Sequence, residues 1–110
     1  MQKDFTMGRK KHLDYLKQFK SEISKDIPIK KMILFGSRAS GKPHRWSDFD
    51  LIIVSNKFKN KKFRYRPLLF YDHWTIDYPV DFLCYTLEEF NKFRKRQTIV
   101  ATAVEEGIEI

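Results

Sequence analysis

The stretch that decides the fold runs from residue 32 to residue 54 and reads MILFGSRASGKPHRWSDFDLIIV. It begins with the apolar run Met32 to Phe35, which Gly36 stops, and it ends with a second apolar run, Phe49 to Val54. Short apolar runs bounded by turn residues are typical of buried β-strands. The polar segment Arg38 to Ser47 between them has room only for a short helix and a loop. We therefore predict two strands joined by this segment.

The sequence on either side adds helices and a third strand. Apolar residues recur at helical intervals between Lys10 and Lys25, which predicts an amphipathic helix ahead of the first strand. The apolar run Val80 to Tyr85 predicts a third strand. Thr86 and Glu89 follow with the spacing of a capping box, so a helix should begin there.

Two further helices are expected from their flanking residues. The segment Pro67 to Trp74 could form a helix that Pro67 opens and that covers the sheet. The segment Ile99 to Val104 predicts a last helix, which Gly107 would end because glycine adopts the positive φ of a C-cap. The order of elements predicts one α+β domain over residues 1–110, an α/β sandwich in which a small mixed sheet has its helices packed mainly on one face.

Composition limits the classes of protein. The chain has 110 residues, of which 42% are hydrophobic and 15% aromatic, enough apolar material for one folded domain. No apolar run approaches the roughly 18 residues of a membrane span, and the start lacks a signal peptide, so we expect a soluble, cytoplasmic protein that does not bind membranes. Cys84 lies in an apolar run and is interpreted as a core residue. The net charge of +8 should attract nucleotides, nucleic acids or acidic proteins.

Two carboxylates mark the start of the second predicted strand. Asp48 and Asp50 are two residues apart, so on a strand they point to the same side, separated by roughly 7 Å of rise. Like charges on one face repel, and burying them beside an apolar strand is costly without a compensating cation. Carboxylate oxygens are the hard ligands that suit Mg²⁺ or Mn²⁺. The pair therefore predicts a divalent metal site.

An anion site is predicted at the end of the first strand. If a short helix begins at Ser37, its free amides and positive dipole end can bind a phosphate, and Gly36 lets that phosphate approach the backbone. Arg38 and the basic residues of the following loop, Lys42, His44 and Arg45, lie between this site and the carboxylates. Together the two halves predict a site for a metal and a triphosphate.

At this point the sequence resembles the minimal nucleotidyltransferases of the DNA polymerase β-like superfamily. Their signature is Gly-Ser, about ten residues, and then Asp-x-Asp, which Gly36-Ser37 and Asp48-Phe49-Asp50 match in register. The family places a third carboxylate on a later strand, and Asp81 matches that position. An unpaired carboxylate in an apolar strand is also hard to explain as structure. The competitor, Asp77, precedes Tyr78-Pro79, where an exposed turn residue is ordinary.

The resemblance implies a mechanism with two metal ions. Asp48 and Asp50 would hold the metal that carries the triphosphate, and Asp81 would join them at the catalytic metal and help to deprotonate or orient the acceptor hydroxyl. Gly36, Ser37 and Arg38 would bind the nucleotide. A nucleoside monophosphate, with AMP from ATP as the expected case, would pass to a hydroxyl of a protein, a nucleic acid or a small molecule, and pyrophosphate would leave. The resemblance also implies a HEPN-type helical partner protein, with this domain as the antitoxin of the pair.

Two alternatives remain open from the residues. The chain could be a binding module without catalysis, which neutralises a partner protein or binds nucleic acid by surface contacts. The run Lys57 to Arg66 has six basic residues and no acidic one, and it is interpreted as a solvated loop, a nucleic-acid patch or a docking face for an acidic partner. Aromatic residues in and after this run could stack on bases or belong to the core.

Overall fold

A mixed sheet forms the centre of the molecule. The computed structural model describes residues 5–40 and 47–110, and in this part of the chain the sheet has four strands in the order β3-β2-β1-β4. The strands are β1 (Lys31–Phe35), β2 (Phe49–Val54), β3 (Val80–Tyr85) and β4 (Ile108–Glu109). β1 pairs antiparallel with β2 and β4, whereas β2 pairs parallel with β3. The α+β class and the mixed sheet are thus confirmed.

The helices precede, link and follow these strands. They are α1 (Phe5–Ile23), α2 (Ser37–Ser40), α3 (Leu87–Phe93) and α4 (Ile99–Glu106). Residues 55–79, which we call the crossover segment, connect β2 to β3 and contain the 3₁₀ turns Asn56–Phe58, Phe63–Leu69 and Tyr71–His73. The α-helix expected over Pro67 to Trp74 is therefore wrong. Pro67 lies inside a 3₁₀ turn, where its missing amide donor breaks no α-helical ladder.

Helices cover both faces of the sheet, not mainly one face as the sequence predicted. Phe49, Leu51 and Ile53 of β2 belong to one core cluster with α1 and parts of the crossover segment. Ile52 and Val54 belong to a second cluster with residues of α3 and α4. A strand that is apolar at every position from 51 to 54 buries side chains on both faces, so each face needs a cover.

The ends of α3 and α4 depend on two named residues. Thr86 forms the predicted capping box, because its hydroxyl accepts from the Glu89 amide at 3.1 Å and the Glu89 carboxylate accepts from the Thr86 amide at 2.8 Å. Gly107 caps α4 as predicted, but at a φ of −83°, so the reason given for glycine was wrong. A Cβ at Gly107 would collide with the Ala103 carbonyl and stand 2.7 Å from Ile33 Cγ2. Glycine is needed there for space.

Arg66 fastens the crossover segment to β3 and α3. Its side chain is buried and donates hydrogen bonds to the carbonyls of Lys61 and Cys84, both at 2.9 Å. It also pairs with the Glu89 carboxylate at 2.6 Å. A buried guanidinium needs partners of this kind. Arg66 therefore has a structural role, unlike the exposed basic residues that precede it in the sequence.

Candidate active site

The sheet register brings two of the predicted carboxylates side by side. Asp50 of β2 is the direct partner of Asp81 of β3, and on its other side it is the partner of Phe35 at the end of β1. Asp48 lies two residues before Asp50. Because side chains alternate along a strand, Asp50 points away from Phe49 and toward the face that α3 and α4 cover. The parallel pairing of β2 with β3 is what joins residues 50 and 81.

The negative charges of Asp48, Asp50 and Asp81 influence one another. Asp50 is half-buried, whereas Asp48 and Asp81 are exposed. Burial raises the pKa of Asp50 above its ordinary value, and the negative charges of Asp81 and then Asp48 raise it further. The protein therefore gathers three carboxylates at this end of the sheet, a group that a cation would stabilise.

The donor set fits a hard divalent cation in its chemistry. Carboxylate oxygens from Asp48, Asp50 and Asp81 are the ligands that Mg²⁺ and Mn²⁺ prefer. Within residues 5–40 and 47–110, no three His, Cys, Asp or Glu side chains are grouped closely enough to hold a metal ion as they stand. Two of the three side chains, those of Asp48 and Asp81, are exposed.

Gly36 lies against Asp50. It adopts a φ of +77°, in the left-handed region that favours glycine, and a Cβ built on it would stand 2.5 Å from Asp50 Oδ2. The Gly36 carbonyl accepts from the Ala39 and Ser40 amides at 3.0 and 3.1 Å, so α2 begins directly after it at Ser37. The predicted phosphate residues and the predicted metal ligands are therefore neighbours in space.

Arg38 points inward. Its side chain is 4% exposed, and its Nε donates to the Ser47 carbonyl at 2.8 Å. The guanidinium lies over the rings of Phe49 and Tyr78, with 4.5 and 4.7 Å from the guanidinium carbon to the ring centroids. These contacts position the residue next to Asp48. A direct contact between Arg38 and a nucleotide stays a prediction.

His12 is a neighbour of the site that the sequence did not indicate. Its ring meets the rings of Phe49 and Tyr78 edge-on at centroid distances of 5.1 and 5.0 Å. Burial lowers the pKa of His12, and the positive charge of Arg38 lowers it further. These ring contacts make His12 a packing residue, and no local pattern in the sequence could place α1 over Phe49.

The remaining candidates divide into three groups. Asp77 is exposed in the bend before β3, outside the register that joins Asp50 to Asp81, which agrees with its interpretation as a turn residue. Cys84 is fully buried, and burial raises the pKa of its thiol to about 12, so the interpretation as a core residue is confirmed. The basic loop residues Lys42, His44 and Arg45 lie outside the described residues.

No helix in the described ranges has the length and apolarity needed to cross a membrane.

Comparisons with known proteins bear on the family and the fold of this chain. A family model described as a nucleotidyltransferase domain matches residues 16–110. A crystal structure from Sulfolobus solfataricus, provisionally described as a nucleotidyltransferase, superposes with a TM-score of 0.66 at 22% identity, over 84% of this chain and 82% of that one. A second structure with the same provisional description gives a TM-score of 0.46 at 25% identity, over 76% of this chain and 88% of that one. Among curated proteins, none matches significantly.

Proposed function

This chain belongs to the nucleotidyltransferase domain family, and we propose that it transfers a nucleoside monophosphate, AMP from ATP, to an acceptor hydroxyl with release of pyrophosphate. The observation that carries this proposal is the register of Asp50 with Asp81 beside Gly36, whose backbone is exposed to solvent. One edge of the sheet thus joins a carboxylate group to a backbone that a phosphate can approach. Transfer of a charged phosphoryl group needs both parts.

The carboxylates have distinct roles in the proposal. Asp48, Asp50 and Asp81 would hold Mg²⁺ or Mn²⁺, with two ions as the resemblance implies, and the bound cations would supply charge neutralisation to the triphosphate. Asp81 is exposed at the edge strand β3, where an acceptor can reach it, so it would orient the acceptor hydroxyl and take up its proton. Asp50, the half-buried member, fixes the position of the group because its backbone is paired on both sides.

The nucleotide would lie over the turn between β1 and α2. Gly36 presents no side chain there, and the Ser37 hydroxyl and the amides at the start of α2 would donate to the phosphates. The Arg38 side chain stabilises this turn through its hydrogen bond to the Ser47 carbonyl, which connects the residues after β1 to the residues before β2. The enzyme would act mainly by positioning the triphosphate and stabilising charge.

The acceptor and its setting follow from the resemblance to minimal nucleotidyltransferases. We propose that a HEPN-type helical protein is the partner, that this chain is the antitoxin of the pair, and that it acts in the cytoplasm. Support comes from the match of Gly36-Ser37 and Asp48-Phe49-Asp50 to the signature of that group.

Label transfer tests the proposed reaction. The protein is incubated with Mg²⁺, cell extract and ATP labelled either at the α-phosphate or at the γ-phosphate, and labelled products are separated by size. AMP transfer predicts label in an acceptor from α-labelled ATP only, and none with Asp50→Asn. Acceptor label from γ-labelled ATP, or equal label with Asp50→Asn, would overturn the proposal. Neutralisation of a partner by a variant without carboxylates would favour the non-catalytic binding module.

A further inference from the structure

The crossover segment carries a row of exposed side chains that the proposed reaction does not use. Residues three apart eclipse one another along a 3₁₀ helix. Tyr65 and Leu68 have this spacing within the turn Phe63–Leu69, Lys62 precedes that turn, and Tyr71 begins the next one. We call Lys62, Tyr65, Leu68 and Tyr71 the exposed row. Lys62 is exposed, and the exposed fractions of Tyr65, Leu68 and Tyr71 are 47%, 63% and 44%. Arg66 and Phe70 are buried, so the row lies on the solvent side of the segment, together with Phe63, which is 44% exposed.

The aromatic residues of the crossover segment differ in exposure. Phe58 and Phe70 are fully buried and pack against each other with ring centroids 5.9 Å apart. Tyr65 and Tyr71 present nearly half of their surface to solvent instead. The Arg64 guanidinium lies over the Tyr65 ring at 4.8 Å. Exposed rings beside cations form the stacking surface that proteins use for unpaired bases.

Uncompensated positive charge surrounds the exposed row. Lys57, Lys59, Lys61, Lys62 and Arg64 are all exposed, and residues 57–66 contain no acid. The sixth cation, Arg66, is neutralised by Glu89 and does not contribute. Asp72 is exposed at the far end of the row and is the nearest acid along the segment. A polyanion is the complement of such a surface.

The spacing favours a single strand over a duplex. At about 2.0 Å of rise per residue, the two rings of the row, Tyr65 and Tyr71, are six residues and roughly 12 Å apart. Stacked bases in a duplex are about 3.4 Å apart along each strand. Rings so far apart can each stack on a base only if the bases are separated from one another, as in an extended single strand. An acidic protein would match the lysines but gives no reason for exposed rings beside them.

We propose that the exposed row and its flanking cations bind single-stranded nucleic acid, with bases stacked on Tyr65 and Tyr71 and phosphates paired with Lys59, Lys61, Lys62 and Arg64. Tyr71 packs on Phe82, the residue after Asp81, with ring centroids 5.3 Å apart. Phe82 points to the face of the sheet that α1 covers, whereas Asp81 points to the opposite face, so the row ends near β3 but not at the carboxylates. Binding itself needs neither the carboxylates nor a metal.

Fluorescence anisotropy with dye-labelled oligouridylate and oligothymidylate tests the proposal. We expect the parent protein to bind both strands with an affinity that falls steeply with salt. Replacing Lys59, Lys61 and Lys62 by Glu should reduce the slope of log affinity against log salt by roughly 2, since each phosphate contact contributes about 0.7. The matched control replaces the exposed residues Lys10, Lys17 and Lys30 by Glu, with the same change in net charge, and should bind far better.

Substitutions of the rings separate stacking from general attraction. Tyr65→Leu should weaken binding about tenfold, the usual size of one lost stack, whereas Tyr65→Phe should keep the parent affinity. Equal affinities for Tyr65→Leu and Tyr65→Phe, equal losses in the two charge variants, or parent binding to polyglutamate as tight as to the strands would each overturn the proposal. The last result would identify an acidic protein as the occupant.

The Asp50→Asn variant separates this inference from the proposed reaction. It should bind the strands at least as tightly as the parent, because a negative charge is removed. If the parent protein binds the strands but transfers no AMP, the proposed reaction is contradicted and the nucleic-acid surface is supported. If the parent protein transfers AMP but binds no strand, the nucleic-acid surface is contradicted and the reaction is supported.

Discussion

Gly36 and Asp50 touch so closely that a methyl group on the glycine would stand 2.5 Å from the Oδ2 atom of the aspartate. The contact joins the turn that is expected to bind phosphate to the central carboxylate of the site. A residue at position 36 must also accept a φ of +77°. Two independent requirements, backbone conformation and space, therefore select glycine at this position.

Gly36→Ala should damage both stability and catalysis. The left-handed backbone alone costs about 1 to 2 kcal/mol for a residue with a Cβ, and the clash with Asp50 adds to it. Asp50→Ala removes the clashing oxygen, so Gly36→Ala should cost less in that background. Urea unfolding of the two single variants and the double variant measures the coupling. If the losses in the free energy of unfolding were strictly additive, positions 36 and 50 would not interact.

Asp50→Asn should abolish transfer and still fold. Loss of a ligating charge is expected to reduce the rate at least about 100-fold. Because the folded pKa of Asp50 is raised, the folded state binds the proton more tightly, and the charged form destabilises the fold once the pH rises through that pKa. Without metal, the variant should therefore match or exceed the melting temperature of the parent at pH 7, and the advantage should vanish below about pH 3.9, the unfolded pKa. A marked loss of melting temperature at pH 7 would instead make Asp50 structural.

Binding of ATP should require a divalent cation. Without one, the acidic group at Asp48, Asp50 and Asp81 repels the phosphates that it is expected to hold. Isothermal titration calorimetry with ATP should show binding in Mg²⁺ and a large loss in excess chelator. Asp50→Asn serves as the control, since it carries less repulsion and should respond less to the chelator. Equal ATP affinity of the parent under both conditions would exclude a metal bridge.

The pair of Arg66 and Glu89 should give a stabilising contribution that acid removes. Burial alone would raise the pKa of Glu89, but hydrogen bonds from Arg66 and Thr86 outweigh it and hold the pKa below its ordinary value. A lowered folded pKa contributes stability that is complete above the unfolded pKa, about 4.3, and is lost as the pH falls through the folded pKa. Glu89→Gln should therefore destabilise by about 1 to 3 kcal/mol at pH 7, a range reduced for the partial exposure of Glu89.

Chemical unfolding of parent and Glu89→Gln at several pH values checks this expectation. The difference between the two proteins should begin to shrink as the pH falls below the unfolded pKa, about 4.3, and should be lost as the pH falls through the lowered folded pKa of Glu89. Lys31 and Glu109 form a more exposed pair at 3.3 Å, and Glu109→Gln provides the matched control with little effect. A difference that does not change with pH would assign the loss to packing.

The sequence predicted the strands well because apolar runs leave few choices. Phe49 to Val54 and Val80 to Tyr85 were predicted with the bounds that the structure gives. Thr86 was predicted as a cap because a capping box is a local pattern. β4, at Ile108–Glu109, escaped prediction, since so short a strand exists only through its pairing with β1. Long-range contacts of this kind leave no local pattern.

Charged residues show where such prediction fails. Arg38 and Arg66 look like surface residues in the sequence, yet both are nearly buried, because rings, carbonyls or a carboxylate from distant segments meet them. The 3₁₀ turns of the crossover segment have no apolar period of 3.6, so their exposed row could not be recognised beforehand. The spacing of Gly36, Asp48 and Asp50 was informative, but their contact with one another and with Asp81 depends on the sheet register.

The parallel pairing of β2 with β3 also fixes the order in which the site can be assembled. β1 and β2 are joined by the shorter link, whereas Asp50 meets Asp81 only after the whole crossover segment has folded back. Closing the longer loop costs more entropy, so we expect this pairing to form late during folding. A chain folded only as far as β2 carries two of the three carboxylates. Ligands that need all three would bind completely folded molecules alone, and would draw the last step of folding toward completion by mass action.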